Sequence, residues 1–160
     1  MIPQDLGKLL SASAQIHPHR TAIVFGQKKI SYKTLDELTS HIASGIIELG
    51  IKKQDRIALF LDNCPEFIIS YFAILKAGCV AVPINYMFKI EEAKFILEDS
   101  ETTCLITSRA YLDMSEELKL RVDSLKYIIC TKDLHKIKKE DTEKLNKIYT
   151  ALSDLAVILN

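Results

Sequence analysis

The sequence predicts an α/β fold with a mostly parallel sheet flanked by helices on both faces, and three observations carry that prediction. From Arg56 to Cys130, short apolar runs of strand length alternate with stretches of helical character. The runs "RIALFL" (Arg56 to Leu61) and "CVAVPI" (Cys79 to Ile84) are apolar throughout rather than at every second residue. That is the mark of a strand covered on both sides. The intervals between runs are long enough for a crossover helix, which a parallel neighbour requires and a hairpin does not.

Taken in order, the elements are these. Asp5 is placed to cap a short helix with Leu6, Leu9, Leu10 and Ala14 on one face, ending before Pro18. "TAIVF" (Thr21 to Phe25) and "KISY" (Lys29 to Tyr32) flank the polar turn Gly26-Gln27-Lys28 and predict an antiparallel hairpin at a sheet edge. Thr34 and Glu37 have the capping-box spacing, in which hydroxyl and carboxylate each satisfy an orphan backbone donor at a helix start. The helix that follows has Leu35, Leu38, Ile42, Ile46 and Leu49 on one face, and Gly50 closes it.

"RIALFL" is a mid-sheet strand. Pro65 opens a helix through Ala77 that is apolar almost all round and therefore buried. Gly78 ends that helix, and "CVAVPI" follows with Pro83 near its end, since proline cannot donate within a ladder. A helix over Glu91 to Glu98, the strand "TCLIT" (Thr103 to Thr107), a helix near Ser115 to Arg121 and the strand "KYIIC" (Lys126 to Cys130) continue the alternation. Leu155 to Leu159 is expected as a closing buried strand. Residues 131–149, rich in lysine but interleaved with Asp133, Glu140, Asp141 and Glu143, are expected as a charged surface insertion, a solvated helix or loop.

Composition bounds the function. At 160 residues, 48% hydrophobic and 26% charged, residues 1–160 suit a single domain with its own core. Lys plus Arg, 21, equals Asp plus Glu, 21, so no net field draws the chain to nucleic acid or an anionic membrane. The most apolar stretch, Phe67 to Ile84, is broken by Lys76, Gly78 and Pro83 short of the roughly 20 residues a membrane span needs. Asp5 and Lys8 interrupt the segment where an export signal would be apolar, so the expected location is cytoplasmic. Cys64, Cys79, Cys104 and Cys130 have no C-x-x-C spacing and read as buried free thiols.

Chemistry is sparse. A doubly wound sheet invites a search for a glycine-rich phosphate loop. Gly7, Gly26, Gly45, Gly50 and Gly78 form no G-x-G-x-x-G, and Gly45 to Gly50 has phosphate-loop spacing with Ile51 in place of its lysine, inside a predicted helix. His17 and His19 flank Pro18 without a third ligand nearby and read as a surface turn. His41 and His135 have no evident nucleophile or orienting carboxylate. Asp62 and Asn63 follow a strand end, where such sheets place ligand loops, though Asn63 also suits a helix cap.

"ISYKTL" (Ile30 to Leu35) and "LKAGCVAVPIN" (Leu75 to Asn85) resemble, in order and separation, the first two motifs of the adenylate-forming superfamily of acyl-CoA synthetases, peptide-synthetase adenylation domains and luciferases. "GIKKQDRIALFLDNCPEFIISYFAILKAG" resembles the same family throughout, and "YMFKIEEAKFILEDSETTCLIT" resembles its acyl-CoA and aryl-CoA ligase branch, toward which Asn85 also leans. The resemblance implies the N-terminal subdomain of the acyl-CoA synthetase-like fold. It further implies an N-terminal fragment of an AMP-forming ligase that activates a carboxylic acid with ATP and magnesium and transfers it to coenzyme A or a carrier-protein thiol.

In that family a segment like "SDLAVILN" leads into a Ser/Thr/Gly-rich phosphate loop, so the C-terminal parts of the parent enzyme are expected to be absent here and the remainder of the ligase becomes the implied partner. No catalytic, cofactor-binding or metal residue is carried over. Gly78, Pro83 and Tyr32 are expected to break a helix, end a strand and anchor the hairpin. A fragment cut from a larger sheet is also expected to self-associate through its exposed edge. The alternative reading is a stand-alone interaction module that completes or regulates a ligase in trans.

Overall fold

The computed structural model describes residues 5–136, 148 and 154–159. In chain order these form α1 (Leu6–Ile16), β1 (Thr21–Phe25), β2 (Lys28–Ser31), α2 (Tyr32–Glu48), β3 (Arg56–Phe60), α3 (Pro65–Lys76), β4 (Val80–Ile84), α4 (Ile90–Asp99), β5 (Cys104–Thr107), α5 (Leu112–Arg121) and β6 (Tyr127–Cys130), with 3-10 turns at Arg109–Tyr111 and Thr131–Lys136. The last four strands make one sheet in the order β4-β3-β5-β6, and every pair in it is parallel.

Side-chain alternation along these strands decides which helix lies on which face. Ile57, Leu59, Ala81, Cys104, Ile106 and Ile129 point to one side, into a core with Leu35, Ile42 and Ile46 of α2 and Ile69, Ala73 and Ile74 of α3. Ala58, Phe60, Val82, Ile84 and Leu105 point to the other, against Ala93, Ile96 and Leu97 of α4 and Leu118 of α5. Because both faces are covered, the strands have no polar side, which is why "RIALFL" and "CVAVPI" read as unbroken apolar runs. At about 1.5–3 kcal/mol for each fully buried large aliphatic or aromatic side chain, these two half-cores dominate the stability of the fold.

The hairpin forms as expected, with Phe25 opposite Lys28 leaving a two-residue loop, but it is a separate two-stranded sheet rather than an edge of the larger one. It packs through Ile30, with Ala22, Ile23 and Tyr32, onto the α2 side of the core. The Tyr32 N–H donates to Arg20 O (2.9 Å) and that of Lys33 to Pro18 O (3.1 Å). With two first-turn donors satisfied in this way, α2 begins before the predicted capping box. Ser31 is the cap, its Oγ accepting from the Thr34 N–H at 3.2 Å.

Two helix faces are rotated from their predicted positions. Leu6 and Leu9 of α1 are exposed, and Gly7, Leu10 and Ala14 are buried instead. Gly7 explains this: a Cβ there would lie 3.1 Å from Lys76 Cα and N, so α1 touches α3 where glycine permits close approach. In α2, Leu38 and Leu49 are exposed while Thr39, Ala43, Ser44 and Gly45 join Leu35, Ile42 and Ile46 inside. Small residues let α3 approach that face.

Three smaller corrections concern ends and caps. Cys64, not Asn63, is the N-cap of α3 and makes no side-chain cap bond. Pro65 at the first helical position biases the residue before it to the extended backbone a cap needs. The predicted closing strand is reduced to a single parallel bridge between Ala81 and Val157. Leu155 and Leu159 are exposed; only Val157 and Ile158 touch the cores. Of the expected insertion, residues 131–136 form a turn with Leu134 buried, and 137–147 lie outside the described residues.

Candidate functional site

Four parallel strands bring their C-terminal residues, Phe60, Ile84, Thr107 and Cys130, to one edge of the sheet. From there β3 leads into α3 on one face, whereas its neighbour β5 leads into α5 on the other. Where adjacent strands diverge in this way a crevice opens outside the sheet, the place at which open α/β sheets bind ligands. Asp62 follows β3 and Ser108 follows β5, so the pair borders this divergence.

Tyr111 spans it. Its ring stacks obliquely on Phe60, with centroids 4.9 Å apart and planes at 51°. The Asp62 carboxylate near the Tyr111 hydroxyl, acting first as a hydrogen-bond acceptor and then, after partial desolvation, as a charge, holds the phenol's pKa above its ordinary value. Below the ring, the single Ser115 Oγ proton is shared between Thr107 Oγ1 (3.0 Å) and Tyr111 O (2.8 Å), and Thr107 Oγ1 donates to Phe60 O (3.3 Å). Ser108 Oγ is buried without a hydrogen-bond partner. Beside them, Asn85 Oδ1 accepts from the Met87 N–H at 3.0 Å and shapes the loop after β4.

A phenol held protonated can donate a hydrogen bond but is no nucleophile at neutral pH. The Asp62 carboxylate adds negative charge at the mouth, opposite to what a triphosphate needs. Gly45 to Gly50 cannot supply phosphate donors, because these residues lie in or cap α2 and their amides are committed to it, as in Leu49 N–H to Gly45 O (3.1 Å). No group of three His, Cys, Asp or Glu side chains suited to a metal occurs among the described residues. Neither the Asp62–Tyr111 pair nor the Gly45–Gly50 amides therefore suit a magnesium-bound triphosphate.

The other candidates stay apart. His17 and His19 are exposed on the turn after α1, His41 is half-buried in α2, and His135 lies in the turn after β6. Asp62 and Asn63, both exposed, are the residues singled out from the sequence that the fold places at the end of β3. Tyr111 and Ser108 were missed, although both follow "TCLIT" and the strand-end rule that marks Asp62 marks them equally.

All four cysteines are free, with Cys64 half-buried and the others buried. Burial pushes the Cys79 thiol up to about 12, with the Asp55 charge adding to it, and burial raises the Cys104 thiol as well. No helix among the described residues is long and apolar enough to cross a membrane.

The family described as AMP-binding enzyme matches residues 10–159. A crotonobetaine/carnitine–CoA ligase from Salmonella paratyphi A is 36% identical over 121 residues, which is 72% of this chain and 23% of that protein. Among solved structures, a fatty acyl CoA synthetase from Mycobacterium tuberculosis superposes with a TM-score of 0.77 at 25% identity, over 98% of this chain and 32% of that one. A long-chain-fatty-acid–CoA ligase from Archaeoglobus fulgidus reaches a TM-score of 0.87 over 99% of this chain and 35% of its own, and at 20% identity that likeness speaks for the fold. The chain thus spans about a quarter of the length of the curated relatives it matches.

Proposed function

The chain belongs to the AMP-binding enzyme family, and from that premise we propose that it is the N-terminal part of an ATP-dependent, AMP-forming acid–thiol ligase. Such an enzyme activates a carboxylic acid as its acyl-adenylate, releases pyrophosphate and transfers the acyl group to a thiol, here coenzyme A. The observation that carries the reading is the family match over residues 10–159, with 36% identity to a CoA ligase. A fatty, aryl or other carboxylic acid is the substrate class. The name of the relative from Salmonella and that of the fatty acyl CoA synthetase from Mycobacterium tuberculosis support an acid and CoA without choosing among acids.

On this reading the described residues are scaffold. They supply one sheet, its two helical layers and the crevice beside β3. The phosphate-gripping donors and the magnesium ligands come from polypeptide beyond them, in keeping with the quarter-length match.

Pyrophosphate release tests this with ATP, magnesium and a panel of fatty and aryl acids plus crotonobetaine. The 160-residue chain alone is expected to give none, and a polypeptide that continues through the family's later motifs is expected to turn over. Robust turnover by the 160-residue chain alone contradicts the scaffold reading. A second reading, a module completing a ligase in trans, is favoured by the segment 155–158, whose outer side has no strand neighbour among the described residues. It requires that a separate chain carrying those later motifs co-purify with this one and restore activity.

A further inference from the structure

The turn ahead of β3 holds a residue in a conformation unfavourable to its type. Gln54 has φ +67, in the left-handed region where a Cβ crowds the backbone and which glycine occupies freely. Its N–H donates to Gly78 O at 2.8 Å, which ties the turn to the end of α3. Any residue with a backbone N–H could do that, glycine with less strain.

The side chain does something glycine cannot. Gln54 Nε2 donates to Leu155 O at 3.2 Å and, more weakly, to Gly78 O at 3.5 Å, while its Oε1 accepts from the Leu155 N–H at 3.1 Å. One carboxamide thus gives Leu155 a donor and an acceptor together, the set that a residue of a neighbouring strand would present. The residues on either side are joined too, with Lys53 Nζ 2.8 Å from Asp154 Oδ2.

Beyond this point Val157 and Ile158 pack on the cores, and the backbone bonds of the segment to β4 among the described residues are two. Ala81 N–H donates to Ala156 O and Ile158 N–H to Ala81 O, each at 2.9 Å, around a single bridge. We propose that Gln54 is a surrogate strand residue, a side-chain clasp that docks residues 154–158 as a strap along the outer edge of β4. The strap opens and closes as its own unit, and the clasp sets how long it stays closed. Since the bridge is parallel, the clasp also aims the strap toward the end of the sheet where β3, β4 and β5 finish. The clasp is a property of the fold and does not depend on the proposed activity.

Hydrogen exchange of the 160-residue chain tests it, read at the amides of Ala81 and Ile158, which do not touch Gln54. In Q54G and Q54N, which tolerate the left-handed backbone but lack the reach, both amides are expected to exchange at least tenfold faster than in the parent. Q54E, which keeps the length and the acceptor but loses the donor, is expected to fall between. The amides of Leu59 and Leu105, deep in the sheet, are expected to be unchanged. If Gln54 is only a turn residue, Q54G and Q54N relieve strain and leave Ala81 and Ile158 unchanged or slower, which overturns the clasp. Acceleration of Leu59 and Leu105 by the same factor overturns it as well, because the strap would then not open separately from the sheet.

Discussion

Lys76 shows how one residue ties three helices together at a cost. Its side chain is 6% exposed, and Nζ donates to Asp36 Oδ1, to Asp36 O (3.1 Å) and to Ser40 Oγ (2.8 Å), while Ser11 Oγ of α1 donates to the same carboxylate (2.6 Å). Burial lowers the lysine's pKa more than Asp36 raises it. With the folded value below the unfolded one, the unfolded chain binds more protons in the window just under the ordinary lysine pKa. The burial penalty is fully present below the folded pKa, and stability through this group rises as pH climbs through that window. Removing the partner is then worse than removing the charge. Asp36→Ala is expected to destabilise by about 3 kcal/mol, because it strands a buried ammonium, and Lys76→Met by well under half of that, because Asp36 can hydrate. Urea denaturation of the two variants at neutral pH checks the order, and the same measurement at rising alkaline pH is expected to lose its Lys76-dependent slope in Lys76→Met.

At the scale of elements, two helix ends solve the same problem with different residues. After α3, Gly78 takes φ +71, its N–H donating to Leu75 O and that of Cys79 to Ile74 O, both close to 3 Å. After α4, Glu101 takes φ +49 and the same pair of bonds runs from Glu101 to Glu98 O and from Thr102 to Leu97 O. Glycine is at ease there and glutamate is not. Gly78→Ala is expected to cost about 1–2 kcal/mol. Glu101→Gly is expected to gain about 0.5 kcal/mol, since relief of the left-handed strain exceeds the loss of an exposed ion pair with Arg56. Opposite shifts in denaturant midpoint, at unchanged slope, are the check. The glycine end was legible in the sequence because the residue type announces it. The glutamate end was not, because a helix can stop wherever its last carbonyls find partners.

For the molecule as a whole, the two half-cores predict how it opens. Cys79 and Cys104 lie in the core beneath α2 and α3, and burial holds both thiols protonated, so their alkylation requires the sheet to separate from its helices. Iodoacetamide at pH 8 is expected to modify Cys64 first, slowly because burial raises its pKa too, and to reach Cys79 and Cys104 only in denaturant. Mass spectrometry of labelled peptides reads this order. The fold class, strand sequence and buried helix over Pro65–Lys76 are legible in the residues alone because strands buried on both faces must be apolar throughout, and that pattern is local in the chain. The crevice is legible only in part. Asp62 stands out at a strand end, but its meeting with Tyr111 depends on β5 crossing β3 to lie at its far side, a pairing between residues 49 apart in the chain. The sequence by itself determined the alternating strands and helices from Arg56 to Cys130 and that they stack as α/β layers, since hydrophobic periodicity is written residue by residue. The tertiary structure alone decided which helix face turns inward at Gly7 and Ala43, why Gln54 accepts a strained backbone, and which side chains share the crevice, because each depends on a partner brought close only when the chain is packed.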